Sequence, residues 1–343
     1  MDNKILFCEK VTSYGFYSDI LEQFYNLYKR DDNIVPILDF CETKYISPSA
    51  VPIILTFGDY LCRLYKRQIQ VLYETGTEVH NFFINSNFYE ISKKLDIFDW
   101  NGAMMDGLEY RPLRNLHKIS YTNTRYSDAD RIKEAVQKRD FIYDCLLDRS
   151  KVVYERILRD TNQLPDAIVW STVNAIAEIE TNAIMYSEAH SFTYVASNRY
   201  GTNISIADSG IGFEKSFKKA NRSLKFIDTV SQIGSKFKNY LVIMSALNYS
   251  YEKHIDDKRE DLWSLRTNIV NNNGIFKVQY ENTQVIFSCN RCGGCTKLKG
   301  KKDISKCMYC LLNKYSADDY SPIKIFKIGF QGVRVEITVS REA

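Results

Sequence analysis

Glu178 and Asn182 stand four residues apart in AIVWSTVNAIAEIETNAIMYS (167–187), a stretch whose apolar residues recur every three and four positions. On a helix both side chains leave from one face, where they interrupt a stripe running through Val173, Ile176, Ile179 and Ala183. A carboxylate and an amide beside a core need either hydrogen-bond partners or a ligand. Asp208 ends the strand-like TNISIAD and stands directly before Ser209–Gly210–Ile211–Gly212. A buried carboxylate there can accept a hydrogen bond from an exocyclic amine, while Gly210 and Gly212 let backbone lie against a flat ring. A Glu-x-x-x-Asn pair alone says little. EIETNAI followed by DSGIGF, with Asp208 26 residues after Asn182, is far more specific.

A second cluster is sulfur. Cys289-x-x-Cys292-x-x-Cys295 and Cys307-x-x-Cys310 fall within one short segment, while Cys8, Cys41, Cys62 and Cys145 lie singly in apolar surroundings. Two Cys-x-x-Cys knuckles clasping one ion give tetrahedral sulfur coordination and resemble a zinc-ribbon hairpin. Cys307 and Cys310 form one knuckle. Cys292 and Cys295 form the other, with Cys289 as the alternative ligand, because Gly293 and Gly294 suit the tight turn. Four thiolates leave no open position, so the expected Zn²⁺ is structural; free or redox-active thiols are the competing reading. An odd total of nine cysteines argues against a disulfide scaffold.

The 165–343 region resembles the nucleotide-binding domain of the GHKL ATPase superfamily, shared by histidine kinases, DNA gyrase and the anti-sigma serine kinases. The anti-sigma branch is the nearest in flavour, through its E-x-x-x-N-A helix. The resemblance implies ATP and Mg²⁺ as cofactors, with Asn182 holding the Mg²⁺ that bridges the phosphates. It makes Glu178 the general base or the residue that orients water, and Asp208 the acceptor of the adenine amine. Gly210 and Gly212 would shape the adenine pocket. One box departs from the pattern: where the superfamily has glycines whose amides cradle phosphate, this chain has Lys258–Arg259–Glu260–Asp261–Leu262. Lys253, Lys258 and Arg259 are candidates to compensate. The polar stretch 213–259 fits an ATP lid, or else a pair of peripheral helices.

These side chains need elements to hold them. Apolar runs such as ILFCE, IVPILDF and IQVLYE alternate with helical stretches over 1–100, which predicts a small α/β domain. ILDFCETKYISPSAVPIILTFGDYL resembles the strand-to-helix junction of STAS domains. The serine phosphorylated in some members falls at Pro48 here, so docking is expected rather than a phosphoswitch, with Ser47 and Ser49 the nearby hydroxyls. Residues 101–127 read as irregular linker or cover. SDADRIKEAVQKRDFIYDCLLDRSKVVYERILRD predicts a long helix over 128–160, which either connects domains, pairs with a second copy, or lies on its own domain. From 161 to 343 the expectation is a Bergerat-type α/β sandwich with helices on one face of a mixed sheet. The cysteine hairpin (289–310) is inserted between late strands. Turns are expected at Arg199–Thr202 and Glu281–Asn282.

Composition bounds the rest. The chain has 343 residues, 45% hydrophobic and 26% charged, which suits a globular protein of two domains. Within 289–310, Arg291, Lys297, Lys299, Lys301, Lys302 and Lys306 face only Asp303, so the body of the chain is near neutral against a net charge of +4. That excludes a surface built throughout to wrap nucleic acid, although the basic hairpin itself could touch nucleic acid or an acidic protein. No apolar run reaches the length of a spanning helix, so a cytoplasmic protein without a membrane partner is expected. His80, His117, His190 and His254 share no motif, which removes the main reason to expect a sensor histidine kinase. The expected function is an ATP-binding regulatory protein with nucleotide-gated association to a protein partner or to itself, with slow ATP hydrolysis or protein-serine phosphorylation as its chemistry. The alternative is a non-catalytic interaction module on a degenerate nucleotide fold.

Overall fold

The computed structural model describes residues 3–100, 117–122, 134–155, 157–161, 166–187, 189–198, 201–253, 262–292 and 301–340. Gly293–Gly294, Cys295 and the 258–261 box lie outside the described residues, as do 101–116, 123–133 and Arg199. The chain is an α/β protein built on two main sheets.

The first hundred residues hold β1 (Lys4–Leu6), β2 (Lys10–Val11), α1 (Ser13–Gly15), α2 (Leu21–Arg30), β3 (Ile37–Asp39), β4 (Tyr45–Ile46) and α3 (Ala50–Tyr65). They continue through β5 (Ile69–Leu72), α4 (Glu78–Asn85), α5 (Phe88–Lys94) and β6 (Phe98–Asp99). β1, β3, β5 and β6 form a parallel sheet in that order, as strand–helix alternation requires. Two capping hydroxyls fix helix starts here: Thr12 accepts from Gly15 N–H and Thr77 from His80 N–H. Helix α3 has no polar face in its first part, since every residue from Ala50 to Asp59 is buried. A helix apolar all round must be covered all round. Gly58 allows the close approach of the Phe98 ring, which a Cβ at that position would overlap.

The remainder comprises β7 (His117–Thr122), α6 (Ala135–Ser150), α7 (Asp166–Tyr186), β8 (Ser191–Asn198), β9 (Gly201–Asp208), α8 (Gly212–Lys219), α9 (Val230–Ile233) and α10 (Lys238–Lys253). It ends with α11 (Leu262–Asn271), β10 (Ile275–Ser288), α12 (Cys289–Cys292), α13 (Lys301–Asn313) and β11 (Ile323–Ser340). Strand order is β10-β11-β9-β8-β7, and every pairing is antiparallel. The mixed sheet expected for 161–343 is thus corrected, because alternating side chains fix which face is buried and leave strand direction open. Within 101–127, expected to be irregular, His117–Thr122 is the edge strand beside β8. The turn expected at Glu281–Asn282 is an irregularity inside one long strand: the register against β11 shifts on both sides of Glu281, whose φ is +51°.

The described part of the 128–160 helix is α6 followed by wider π-helical turns at Lys151–Glu155 and Ile157–Thr161. It lies on α7, with Ile142 and Leu146 packed around Ala177, rather than spanning between domains. The described parts of the cysteine hairpin are helices, α12 and α13, because Ile304, Cys307, Met308 and Leu311 make an apolar stripe at helical spacing.

The two halves share a core. Helices α7, α10 and α11 cover one face of the antiparallel sheet, while α3 lies across β8 and β9 on the other. Phe192, Tyr194, Ala207, Phe326 and Phe330 pack in one cluster with Phe16, Phe57 and the rest of the amino-terminal core. Phe330 meets the rings of Phe16, Phe57 and Tyr60 at centroid separations of 6.0, 5.7 and 5.4 Å. Phe330→Ala is therefore expected to destabilise the protein by about 3–5 kcal/mol, with both halves unfolding in one transition. Denaturant titration followed by two probes, one in each half, checks this; separate transitions would show that the cores are independent.

Candidate functional site

A cavity of about 130 Å³ lies between α7, α8, α10 and the sheet. Helix α7 presents Glu178, Ile179, Asn182, Ala183 and Tyr186 to it, and α8 presents Phe213, Ser216 and Phe217. Val278, Val333 and Val335 form the sheet wall, and Tyr249 and Ser250 of α10 close another side. Glu178, Asn182, Asp208 and Gly212 all line this one cavity, although they span three elements. Gly210 does not line it. Its place is behind the wall, where a Cβ would overlap the Ser187 carbonyl, the same carbonyl that accepts Ile211 N–H at 2.8 Å. Gly212 has φ +71°, and a Cβ there would stand 2.6 Å from the Tyr280 ring.

Asp208 is buried, and its Oδ1 accepts Gly210 N–H at 2.8 Å. Burial pushes its carboxyl up to about 6, against the lowering effects of Gly210 N–H, Arg334, Val333 N–H and Arg63. Glu178 is also buried and is held by a residue that spacing did not reveal. Arg139 of α6 donates from Nη2 to both carboxylate oxygens, at 2.5 and 2.6 Å. Asn182 Nδ2 donates to Glu178 Oε1 at 3.1 Å. A second buried pairing lies two residues on, on another face of α7: Glu180 accepts from Arg149 and from Thr193 Oγ1. Burial raises the Glu180 carboxyl, with Arg149 opposing. The amide oxygen of Asn182 is a hard donor of the kind Mg²⁺ takes, and the cavity has an acceptor at Asp208 for a base amine, so both groups fit the residues present. Lys253 is the last residue of α10, the 258–261 box lies outside the described residues, and among the described residues Arg222 lines the cavity wall.

The amino-terminal half reaches the same site from behind. Helix α3 follows β9 along alternate residues: Ser205 Oγ donates to Ser49 O, Thr56 Oγ1 to Ala207 O, and Arg63 Nη2 to Ser209 Oγ. Asp59 is buried between Arg63 Nε at 3.2 Å and His190 Nδ1 at 2.9 Å, and accepts from Ser209 Oγ at 3.4 Å. The carboxylate stands between the serine and the imidazole, so this serine, histidine and aspartate do not form a nucleophilic relay, which needs the imidazole in the middle. Nothing in the spacing of Asp59, Arg63 and His190 pointed to this cluster. Ser47 and Ser49 are hydrogen-bonded to each other at 3.2 Å at the start of α3.

The cysteines divide. Cys289 Sγ donates to the Val270 carbonyl at 2.9 Å, a thiol's role in a helix cap. Cys307 is buried and accepts from Arg266 Nη2 at 3.2 Å, and Cys310 follows one turn later on α13. Cys292 ends α12, and Cys295 is outside the described residues. Among the described residues, no three His, Cys, Asp or Glu side chains gather as a metal would require. Arg266 is buried over the Trp263 ring at 3.7 Å, and its Nε has no hydrogen-bond partner among the described residues.

No family profile, curated protein or solved structure matches the chain. No helix among the described residues is long and apolar enough to cross a membrane.

Because the folded-state carboxyl of Asp208 lies above its unfolded value, its contribution is most favourable below about pH 4 and is lost as pH rises through about 6. Asp208→Asn removes this titration. The variant should gain stability relative to the parent by about 2–3 kcal/mol between pH 4 and 7. Denaturant midpoints of both proteins across that range test it, and a pH-independent difference would contradict it.

Proposed function

We propose that the chain is an ATP-binding regulatory protein, with a GHKL-type, Bergerat-like nucleotide domain behind a STAS-like domain, acting in the cytoplasm through nucleotide-gated association with a protein partner or a second copy. The observation that carries this reading is the convergence of Glu178, Asn182, Asp208 and Gly212 on one cavity. In it, Asp208 accepts the adenine amine, Asn182 supplies an oxygen to Mg²⁺, and Gly212 leaves room beside the ring. The hold of Arg139 on both oxygens of Glu178 favours binding over turnover, because a carboxylate so engaged is not available to take a proton. Hydrolysis or serine phosphorylation requires Glu178 to leave that partner.

The reading includes a structural Zn²⁺ held by Cys307 and Cys310 with Cys292 and Cys295. A buried guanidinium whose hydrogen bond goes to Cys307 Sγ favours an anionic sulfur there, and outer-shell donors of this kind stabilise metal thiolates. Cys289 is then the spare thiol. Recognition of nucleic acid by the basic segment is the alternative function of that region.

Titration calorimetry with ATP and ADP, with and without Mg²⁺, tests the assignment. Binding is expected, weakened about tenfold or more by Asp208→Asn, since hydrogen bonds to charged groups contribute about 1.5–3 kcal/mol. Asn182→Ala should remove the Mg²⁺-dependent part. No heat with folded parent protein would overturn the reading. For the metal, elemental analysis under reducing conditions should find near-stoichiometric zinc in the parent and little in Cys307→Ser or Cys310→Ser. Zinc retained when both are replaced would refute that part.

A further inference from the structure

The cavity has a direction. Ser187 follows the last turn of α7 and touches Gly210, so the carboxy-terminal end of this helix marks the Asp208 end. Glu178 lies eight residues earlier than Tyr186, about 12 Å along the axis at 1.5 Å per residue. Helix α8 repeats the geometry: it starts at Gly212 beside Asp208, runs eight residues, and is followed by Arg222, which lines the cavity. The guanidinium of Arg222 sits 4.6 Å over the Tyr249 ring. Burial raises the Tyr249 hydroxyl, with Arg222 and Arg139 opposing the rise and Tyr186 adding to it. The cavity thus has an acceptor at Asp208, a guanidinium in its wall at Arg222, and a second, Arg139, bonded to the Glu178 carboxylate that lines it.

Arg139 is 3% exposed, yet among the described residues only Nη2 has hydrogen-bond partners. Its Nε and Nη1 have none among the described residues, and Asp140 stands 3.9 Å from Nη1. A guanidinium carries five donors in a rigid fork suited to phosphate oxygens. Buried donors left unsatisfied are costly, and an incoming anion would satisfy them. Arg222 is exposed, so it can meet an anion with little desolvation.

The geometry points to Arg222 and Arg139 as the phosphate-binding residues of this cavity, replacing the absent glycine-rich cradle and selecting a nucleoside polyphosphate over a nucleoside. Arg222 meets the inner phosphates. Arg139 turns its idle nitrogens to the terminal phosphate and loosens its hold on Glu178, which no shorter ligand can make it do. This rests on the nucleotide reading of the cavity.

Calorimetry with adenosine, AMP, ADP and ATP, all in Mg²⁺, tests it on the full chain. Affinity should rise along that series in the parent. Arg222→Gln, a change at an exposed side chain, should weaken ADP and ATP by about tenfold and leave adenosine unchanged. The paired replacement Arg139→Gln with Glu178→Gln avoids stranding one buried charge; it should abolish the preference for ATP over ADP and keep the ADP affinity. Equal affinity for all four ligands in the parent would overturn the phosphate assignment while leaving a base-binding pocket. So would an ATP-to-ADP ratio unchanged in the paired variant, or an equal loss for adenosine and ATP in Arg222→Gln. Binding of none of the four would remove the nucleotide reading itself, and this proposal with it.

Discussion

Burial of both faces of the antiparallel sheet constrains the rest of the molecule. Strand β8 is buried from Ser191 through Ser197, and β9 is almost as fully covered, with helices on one side and α3 on the other. Polar residues in such strands cannot turn to water, so they are driven to internal partners, although Ser191 Oγ has none among the described residues. Ser197 pairs with Thr202 at 2.6 Å, Thr193 donates to Glu180, and Ser205 donates to the start of α3. These bonds fix the layers in register with one another. Asp208 ends the central strand of this stack, and so its position is set by both neighbouring layers.

The two ends of the cavity are held by different physics. At the Asp208 end, backbone approaches so closely that side chains are excluded: Gly210 against Ser187, Gly212 against Tyr280, and Gly332, at φ +91°, against the Asp208 carbonyl. Contacts of that kind do not yield gradually, because close-packed interiors have no space into which to relax. At the Glu178 end the holding force is an ion pair between α6 and α7. A buried pair gains little net stability, since desolvation offsets much of its attraction, and either partner can exchange for another charge of the same sign. One end of the cavity is thus fixed by packing and the other by an ion pair that can exchange.

Much of the site was legible because it is local. Glu178 and Asn182 share a helical face by spacing alone, and Asp208 before two glycines marks a strand end. The alternation of Val333, Val335, Ile337 and Val339 likewise marks a half-buried strand. Arg139 was hidden because its partner is 39 positions away, in a helix whose charged residues look like an ordinary solvated face. Strand direction was hidden because period-two alternation is the same in parallel and antiparallel pairs. The cysteine segment carries two signals at once: a three-residue spacing serves a metal knuckle and a helical turn equally well, and Met308 and Leu311 place Cys307 and Cys310 on a helix. The contact between halves did leave a trace. VPIILTFGD offers no polar stripe, and a helix without one needs cover on every side.

Asp208 shows how that contact enters the chemistry. Burial alone would leave its carboxyl neutral, and a neutral acid is a weaker acceptor for an amine than a carboxylate. Gly210 and Val333 N–H groups, Arg334 and Arg63 bring it back to about 6, where roughly nine molecules in ten are ionised at pH 7. Burial lowers the Arg334 guanidinium, which is supported by the Tyr17 ring 5.2 Å away and by the carboxylates of Asp208, Glu281 and Glu336. Two of these supports, Arg63 and Tyr17, belong to the amino-terminal half. Undocking that half would remove a cation from Asp208 and expose its neighbour Ser209 at the same time. The charge on Asp208 therefore depends on whether the two halves are packed, and any ligand that prefers the carboxylate must favour the packed state by the same free energy.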